Sequence, residues 1–255
     1  MKEIKIFVFQ HTPCQLPQCF SDRSIYVPVQ CGRAINEKIP GTIDDNTGNN
    51  ISSLNIRFNE MTAIYWIAYH YEEIGNPEYI GFNHYRRYLN WNKEMLSRHT
   101  VIARRWFSWR TLRSQYANCH NIEDLDEFSR HFKSVFSADD NDYSDYDAYW
   151  KTHFFHICNM FIMHRDNFKR YAKFILKCID ILMHIEVGKS TATEQNRAPG
   201  FILEAMTSYW IWHEKRKRTI TLVPSTITHF HIENSFNGST CIDKHVFLWF
   251  LRHAY

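Results

Sequence analysis

Near its start, the sequence alternates between two hydrophobic periods, and this most restricts what the chain can fold into. "IKIFVFQ" (4–10) is short, apolar and rich in β-formers, so it reads as a buried strand. "NEMTAIYWIAYHYEEI" (59–74) puts apolar side chains at 61, 64, 65, 68 and 71, the spacing of one helix face. "GNP" ends that helix and "EYIGF" (78–82) is a strand again. Strand, helix and strand in this order form a βαβ unit. Its home is an α/β fold with a mostly parallel central sheet flanked by helices.

The remaining segments fit that class. "SIYVPVQ" (24–30) is a weaker strand, placed near an edge by Pro28, which has no N–H to donate. "IPGTIDDNTGNNISS" (39–53) is a loop. "NIEDLDEFSRHFKSVF" (121–136) is a helix capped by Asn121, with Leu125, Phe128, Phe132 and Val135 on one face. "SADDNDYSDYDAYW" (137–150) is an acidic loop leading to a short helix. "HICNMFIM" (156–163) is a central strand, and 165–186 a long helix with Phe168, Tyr171, Phe174, Ile175, Cys178 and Leu182 inward. A loop at 188–200, a helix at 201–216 and a strand at 219–225 follow. There is no internal repeat or linker, so 1–255 reads as a single domain with 226–255 as a C-terminal extension.

Composition excludes several classes. With 44% apolar and 22% charged residues in 255, the chain can bury a real core. A net charge of +3 speaks against a nucleic-acid binder, which needs a strong basic stripe. The seven cysteines are scattered, odd in number and lack a C-x-x-C pair, which fits a reduced cytoplasmic protein. The apolar run at the N-terminus is too short for a signal peptide or a membrane span.

Ligands of α/β sheets bind beyond the carboxyl ends of strands. Three polar groups fall there: His11 and Thr12; "NHYRR" (83–87); and Asn159 inside an apolar strand. A strand running through residue 86 puts His84 and Arg86 on one face, and Tyr85 and Arg87 on the other. Such a pair suits a phosphate clamp. Pairing of Arg86 and Arg87 with the acidic loop at 137–150 is the alternative. "DDNTGNNIS" can donate and accept through its short side chains, but it is no Walker or Rossmann loop and reads more plainly as a surface turn. Glu204 lies among Phe201, Ile202, Leu203 and Met206, where burial raises a carboxyl pKa and suits a base. The plainer reading is a first-turn glutamate favouring the helix dipole. "HFFH" (153–156) is no metal site, because i and i+3 on a strand face opposite ways.

Taken in order, "KIFVFQHTP", "IYVPVQCGRAIN", "DDNTGNNISSLN", "NEMTAIYWIAYH", "EYIGFNHYRRYL", "YANCHNIEDLD", "NMFIMHRDNFKRYAKFIL" and "RAPGFILEAM" resemble a known family. It is the family of bacterial capsule, exopolysaccharide and O-antigen glycosyltransferases formerly catalogued as a domain of unknown function, which includes galactofuranosyltransferases. The resemblance covers roughly residues 4 to 225.

The resemblance implies a single GT-A-like nucleotide-sugar-binding domain. It implies transfer of a hexosyl unit, pyranose or galactofuranose, from a UDP-sugar to a lipid-linked or lipopolysaccharide saccharide acceptor, with inversion. By position, His84, Arg86 and Arg87 lie near the diphosphate. Asp45, Thr47, Gly48 and Asn50 line the donor loop, and His11 and Thr12 meet the nucleotide. Glu60 and Tyr65 sit on the helix behind, and His120 and Asn159 reach the sugars. Glu204 becomes the first candidate base, as the glutamate of "GF–x–x–E", with His120 or an aspartate of "DDNTG" as competitors. In many enzymes of this fold an Asp-x-Asp stands where this chain has "NHYRR", so no metal cofactor is expected. Two departures stand out: Leu203 and Ala205 flank Glu204 where the family often has Ser and Arg, and Asn49 stands where it often has an acid.

The rival class is a non-catalytic sugar-nucleotide or glycan-binding protein. "HEKRKRT" (213–219) and the aromatic tail at 241–255 fit a peripheral contact with the inner face of the cell membrane. A tail packed on the domain is the alternative.

Overall fold

The protein is described by a computed structural model covering residues 3–137, 142–188 and 195–230. The tail at 241–255 and residues 189–194 of the loop at 188–200 lie outside the described residues.

Strand β1 (Ile4–Gln10) pairs in parallel with β2 (Tyr26–Gln30) on one side, and β2 pairs in parallel with the two-residue β3 (Ile43–Asp44). The short helix α1 (Asn55–Phe58) and α2 (Met61–Tyr69) lead to β4 (Tyr79–His84), which returns in parallel on the other side of β1. This is the βαβ unit read from the sequence. A turn at Tyr85–Arg86 then reverses the chain into β5 (Arg87–Leu89).

Strand β6 (Thr100–Phe107), helices α3 (Leu112–Cys119), α4 (Ile122–Phe136) and α5 (Tyr146–Trp150), and strand β7 (Phe154–His164) follow. The long helices α6 (Arg165–His184) and α7 (Ala198–Arg216) come next, then β8 (Thr221–Pro224) and β9 (Ile227–His229). The sheet order is β3-β2-β1-β4-β7-β6-β8, with β5 on β4 and β9 on β5. Along the main path only β7 runs against the others, so the sheet is mostly parallel.

Alternation along β1 explains the layering. Phe7 and Phe9 point into the larger core, which α2, α4, α6 and α7 close. Ile4, Ile6 and Val8 point into a second core, covered by Phe20, Tyr88, Leu89 and Leu96. Burying a strand on both faces gives it the nearly continuous apolar run seen in the sequence.

Most expected elements are present, and the differences have local causes. Asn121 caps α4 through its side chain, which accepts from the Glu123 N–H. Val135 is exposed and Phe136 buried, because the inward face steps from Phe132 by four residues rather than three. Pro28 is not on the outermost strand, but it precedes the stretch that β3 covers. Residues 227–229 of the expected extension are part of the sheet, as β9.

Candidate active site

The strand expected to run through residue 86 stops at His84, and this rearranges the cations. His84 and Arg87 are direct cross-strand partners in the β4–β5 hairpin, so they share a face. Arg86 sits in the turn, exposed, with its guanidinium 4.9 Å from the centre of the Tyr85 ring. The pairing of His84 with Arg86 is therefore corrected to His84 with Arg87. Neither arginine pairs with the described part of the acidic loop.

Opposite the hairpin, β7 breaks its ladder. Ala103 pairs with Phe161 and Arg105 with His156, so β7 spends five residues where β6 spends two. Its ladder with β4 ends at Gly81↔Ile162. The extra residues form a wide bulge in which Cys158 (φ 69°) and Asn159 (φ 50°) are both left-handed, a costly conformation for residues other than glycine.

The bulge organises the site. The Cys158 N–H donates to Glu204 Oε1 at 2.5 Å, and the Cys158 carbonyl accepts from His84 Nε2 at 2.7 Å. Asn159 Nδ2 donates to Glu60 Oε1 at 2.7 Å, and that oxygen is also 3.9 Å from His84 Nε2. Arg87 Nη1 lies 3.4 Å from Cys158 Sγ. Asn159 Oδ1 is buried with no hydrogen-bond partner.

Two helix N-termini supply the carboxylates. Helices that follow parallel strands begin at the carboxyl edge of the sheet, and Glu60 immediately precedes α2. A Cβ at Gly200 would fall 2.1 Å from Asn59 Nδ2, so only glycine lets α7 approach this close. Arg197 Nε donates to Asn59 Oδ1 at 2.8 Å across the same junction. That contact brings the start of α7, and with it Glu204, beside Glu60.

Electrostatics then separates the roles. Burial pushes the Glu204 carboxyl up from 4.5 to about 7, and the nearby Glu60 carboxylate adds to the effect. The Cys158 N–H, Arg87 and Arg197 oppose it. Burial lowers the pKa of His84, and its Nε2 must carry the proton it gives to a carbonyl. His84 is thus a neutral ring whose donor is already engaged. The positive charge here therefore comes from arginine.

The other expected residues divide into those near the cluster and those apart from it. His11 is on the rim: its ring meets Tyr85 edge-on, and its pKa is lowered by burial and then by the charge of Arg86. Thr12 is exposed in the same loop. His120 stacks on Phe201 at 4.2 Å, one turn before Glu204, and burial drives its pKa down to about 4. Arg197 also lies over Phe201, 5.4 Å from the ring centre.

Asp45 is completely buried. It accepts from the N–H groups of Gly32 and Arg33 and from the hydroxyls of Ser52 and Thr62, at 2.5–3.0 Å. Four protein donors fill its oxygens, so it holds the loop rather than touching a ligand. Thr47 accepts from the Trp66 indole through its carbonyl and its hydroxyl, and Asn50 braces the turn through Gly48 and Ser52. Tyr65 donates to Asn49 Oδ1 at 3.1 Å. This turn therefore lies along α2 from Tyr65 to His70, roughly 8–15 Å along the axis from Glu60 at ~1.5 Å per residue. The structure does not bring Thr47, Gly48 and Asn50 to the Glu204 cluster.

Glu60 was expected behind the site and lies in it. The order of strand and helix was the available signal, since it fixes which helix end faces the carboxyl edge. Nothing in the sequence announces the backbone of Cys158 as the connector.

The sequence matches the family described as "Domain of unknown function (DUF4422)" over residues 5–216. The chain belongs to that family. Its structure is similar to the apo structure of the WbbM bifunctional glycosyltransferase, with a TM-score of 0.71 and 18% sequence identity. The match covers 89% of this chain and 45% of that one, so this chain spans less than half of that protein's length. No curated protein matches the sequence. The α/β fold with its mostly parallel sheet is thus that of a glycosyltransferase neighbour. Among the described residues, no helix is long and apolar enough to cross a membrane.

A metal on the donor diphosphate is the usual device of GT-A enzymes. The residues here do not fit one. At the end of β4 stand Asn83 and His84 in place of paired aspartates, His84 Nε2 is engaged, and Arg87 adds positive charge. Among the described residues, no group of three or more His, Cys, Asp or Glu is placed to hold a metal ion.

Proposed function

We propose that the chain is a glycosyltransferase moving a hexosyl unit from a UDP-sugar to a saccharide acceptor in bacterial surface polysaccharide synthesis, with inversion. The observation that carries this reading is Glu204: a carboxyl poised near 7 at the carboxyl edge of the sheet, aimed by a backbone N–H. In the proposed reaction Glu204 takes the proton of the acceptor hydroxyl as that oxygen attacks the anomeric carbon. The bond to the nucleoside diphosphate breaks, and the leaving oxygen carries the electron pair away. Arg87 and Arg197, with Arg86 and His11 at the rim, face the resulting negative charge. The unmatched Asn159 Oδ1 accepts from a sugar hydroxyl.

Glu60 and His84 are positioning groups in this scheme. Glu60 holds Asn159, and His84 holds the Cys158 carbonyl, so both stiffen the bulge that aims Glu204. The hexosyl donor rests on the family resemblance, which puts galactofuranose among the candidates. A panel of UDP-sugars, furanose donors included, tests the reading. Release of UDP with transfer to an acceptor is expected. Binding of a sugar nucleotide with neither hydrolysis nor transfer anywhere in the panel would replace it with the binding-protein class.

A further inference from the structure

The basic segment at 213–219 does not sit where a membrane-bound acceptor would meet the site. It closes α7 and leads into β8, which is parallel to β6 and β4, so it lies at the amino-terminal edge of the sheet. His213 and Glu214 are buried, engaged by Asp145 and Arg170. A different surface has the needed chemistry on the correct edge.

That surface is the far end of the β6–β7 pair. Trp109 is 90% exposed, Phe107 43% and Phe154 40%. Lone exposed aromatics are ordinary. These three are joined: the Phe107 ring lies 5.3 Å from both Trp109 and Phe154. They form one apolar patch, the kind that marks an interaction site.

Arginines frame it. Arg105 lies 4.4 Å over the Phe154 ring and Arg110 follows Trp109 in "RRWFSWR", while alternation along β6 puts Arg104 on the opposite face. No carboxylate among the described residues pairs with Arg104, Arg105 or Arg110. Between Glu94 and Glu123 the sequence has five arginines and no acidic residue. A soluble sugar is recognised through carboxylates and amides that bind its hydroxyls, and residues 104–110 have neither. Exposed Trp and Phe beside guanidinium groups instead match the headgroup layer of an anionic bilayer.

We infer that this end of the β6–β7 pair docks the chain on an anionic lipid surface. Because β6 runs parallel to β4, the patch shares the sheet edge with His84. Phe154 precedes Cys158 by four residues, about 13 Å of extended chain. Docking here holds the Glu204 cluster toward the bilayer. Delivery of a lipid-linked acceptor to that cluster rests on the transferase reading; the docking itself does not.

Vesicle flotation of the full chain tests the docking without needing turnover. Wild type is expected to float with phosphatidylcholine vesicles containing phosphatidylglycerol, to float less as salt rises, and to stay behind with phosphatidylcholine alone. Arg105→Ala and Arg110→Ala should each lower the partition roughly fivefold. Trp109→Ala, at an exposed site that leaves the fold intact, should lower it by a comparable factor. Wild type failing to float on anionic vesicles overturns the inference. So does unchanged flotation of all three variants, which would place the contact elsewhere in the chain. An effect of Trp109→Ala confined to KM for a soluble saccharide would also overturn it, in favour of a sugar platform.

Discussion

Replacing Glu204 with glutamine should make the protein more stable and nearly inactive, and the two effects share one cause. The native carboxyl loses its proton near 7, whereas an ordinary one does so near 4.5. Between those values the folded state holds more protons than the unfolded state, so stability falls as pH rises. Above about 7 the whole penalty is present; below about 4.5 both states are protonated and it disappears. A gap of this size is worth about 3 kcal/mol. Glutamine cannot ionise, and its carbonyl still accepts from the Cys158 N–H. Guanidinium unfolding of wild type and Glu204→Gln at about pH 8.5 should favour the variant by about 2–3 kcal/mol, and at about pH 4 by almost nothing. Its turnover should fall by about 10²–10⁴. In wild type, kcat should climb through a limb near 7 as the base ionises. An equal stability difference at both pH values would refute the reasoning. A variant less stable at about pH 8.5 would mean that Arg87 and Arg197 outweigh burial and that the carboxylate is not poised.

The cross-strand pairing ranks the two arginines. Arg87→Ala should lower kcat/KM by about 2–4 kcal/mol of transition-state stabilisation, while the exposed Arg86→Ala should cost less than about 1.4 kcal/mol, or tenfold, in the same assay. Asp45→Ala should destabilise the fold by about 3–5 kcal/mol in denaturant melts, since it removes the shared acceptor of four donors at once. Gly48→Ala should cost about 1–3 kcal/mol, because that residue has φ 51° and a Cβ would meet the His70 ring at 2.4 Å. Activity should survive EDTA; loss with recovery on manganese would show that a cation belongs to the donor site.

Legibility from sequence followed the range of the interaction. Patterns set by one element's own burial were readable: the double-faced run of β1, the amphipathic face of α6 and the Asn121 cap on α4. What depended on two elements meeting was not. "HYRR" was read as continuous strand because nothing local forbids it, yet Tyr85 and Arg86 turn so that Tyr88 and Leu89 can cover the second core. The loop at 45–52 reads from its polarity as a surface turn, and only the resemblance assigns it to the donor. Its side chains are instead consumed by Gly32, Arg33, Thr62 and Trp66, partners that only the fold supplies.

The bulge at Cys158 and Asn159 shows why the site itself resists sequence reading. Two left-handed residues in a central strand cost about 1–3 kcal/mol each, and neither is a glycine that would advertise them. The strain persists because three of the groups it frees are engaged. The Cys158 N–H goes to Glu204, its carbonyl to His84 and the Asn159 amide to Glu60. A regular ladder would spend that N–H and carbonyl on β4 or β6 and leave Glu60 and Glu204 as two buried carboxylates repelling each other. The distorted backbone instead gives each one a donor, and gives His84 a fixed tautomer. A strand that stays irregular for these three contacts is holding two acids and a ring in place, which is the arrangement a proton-transfer step requires.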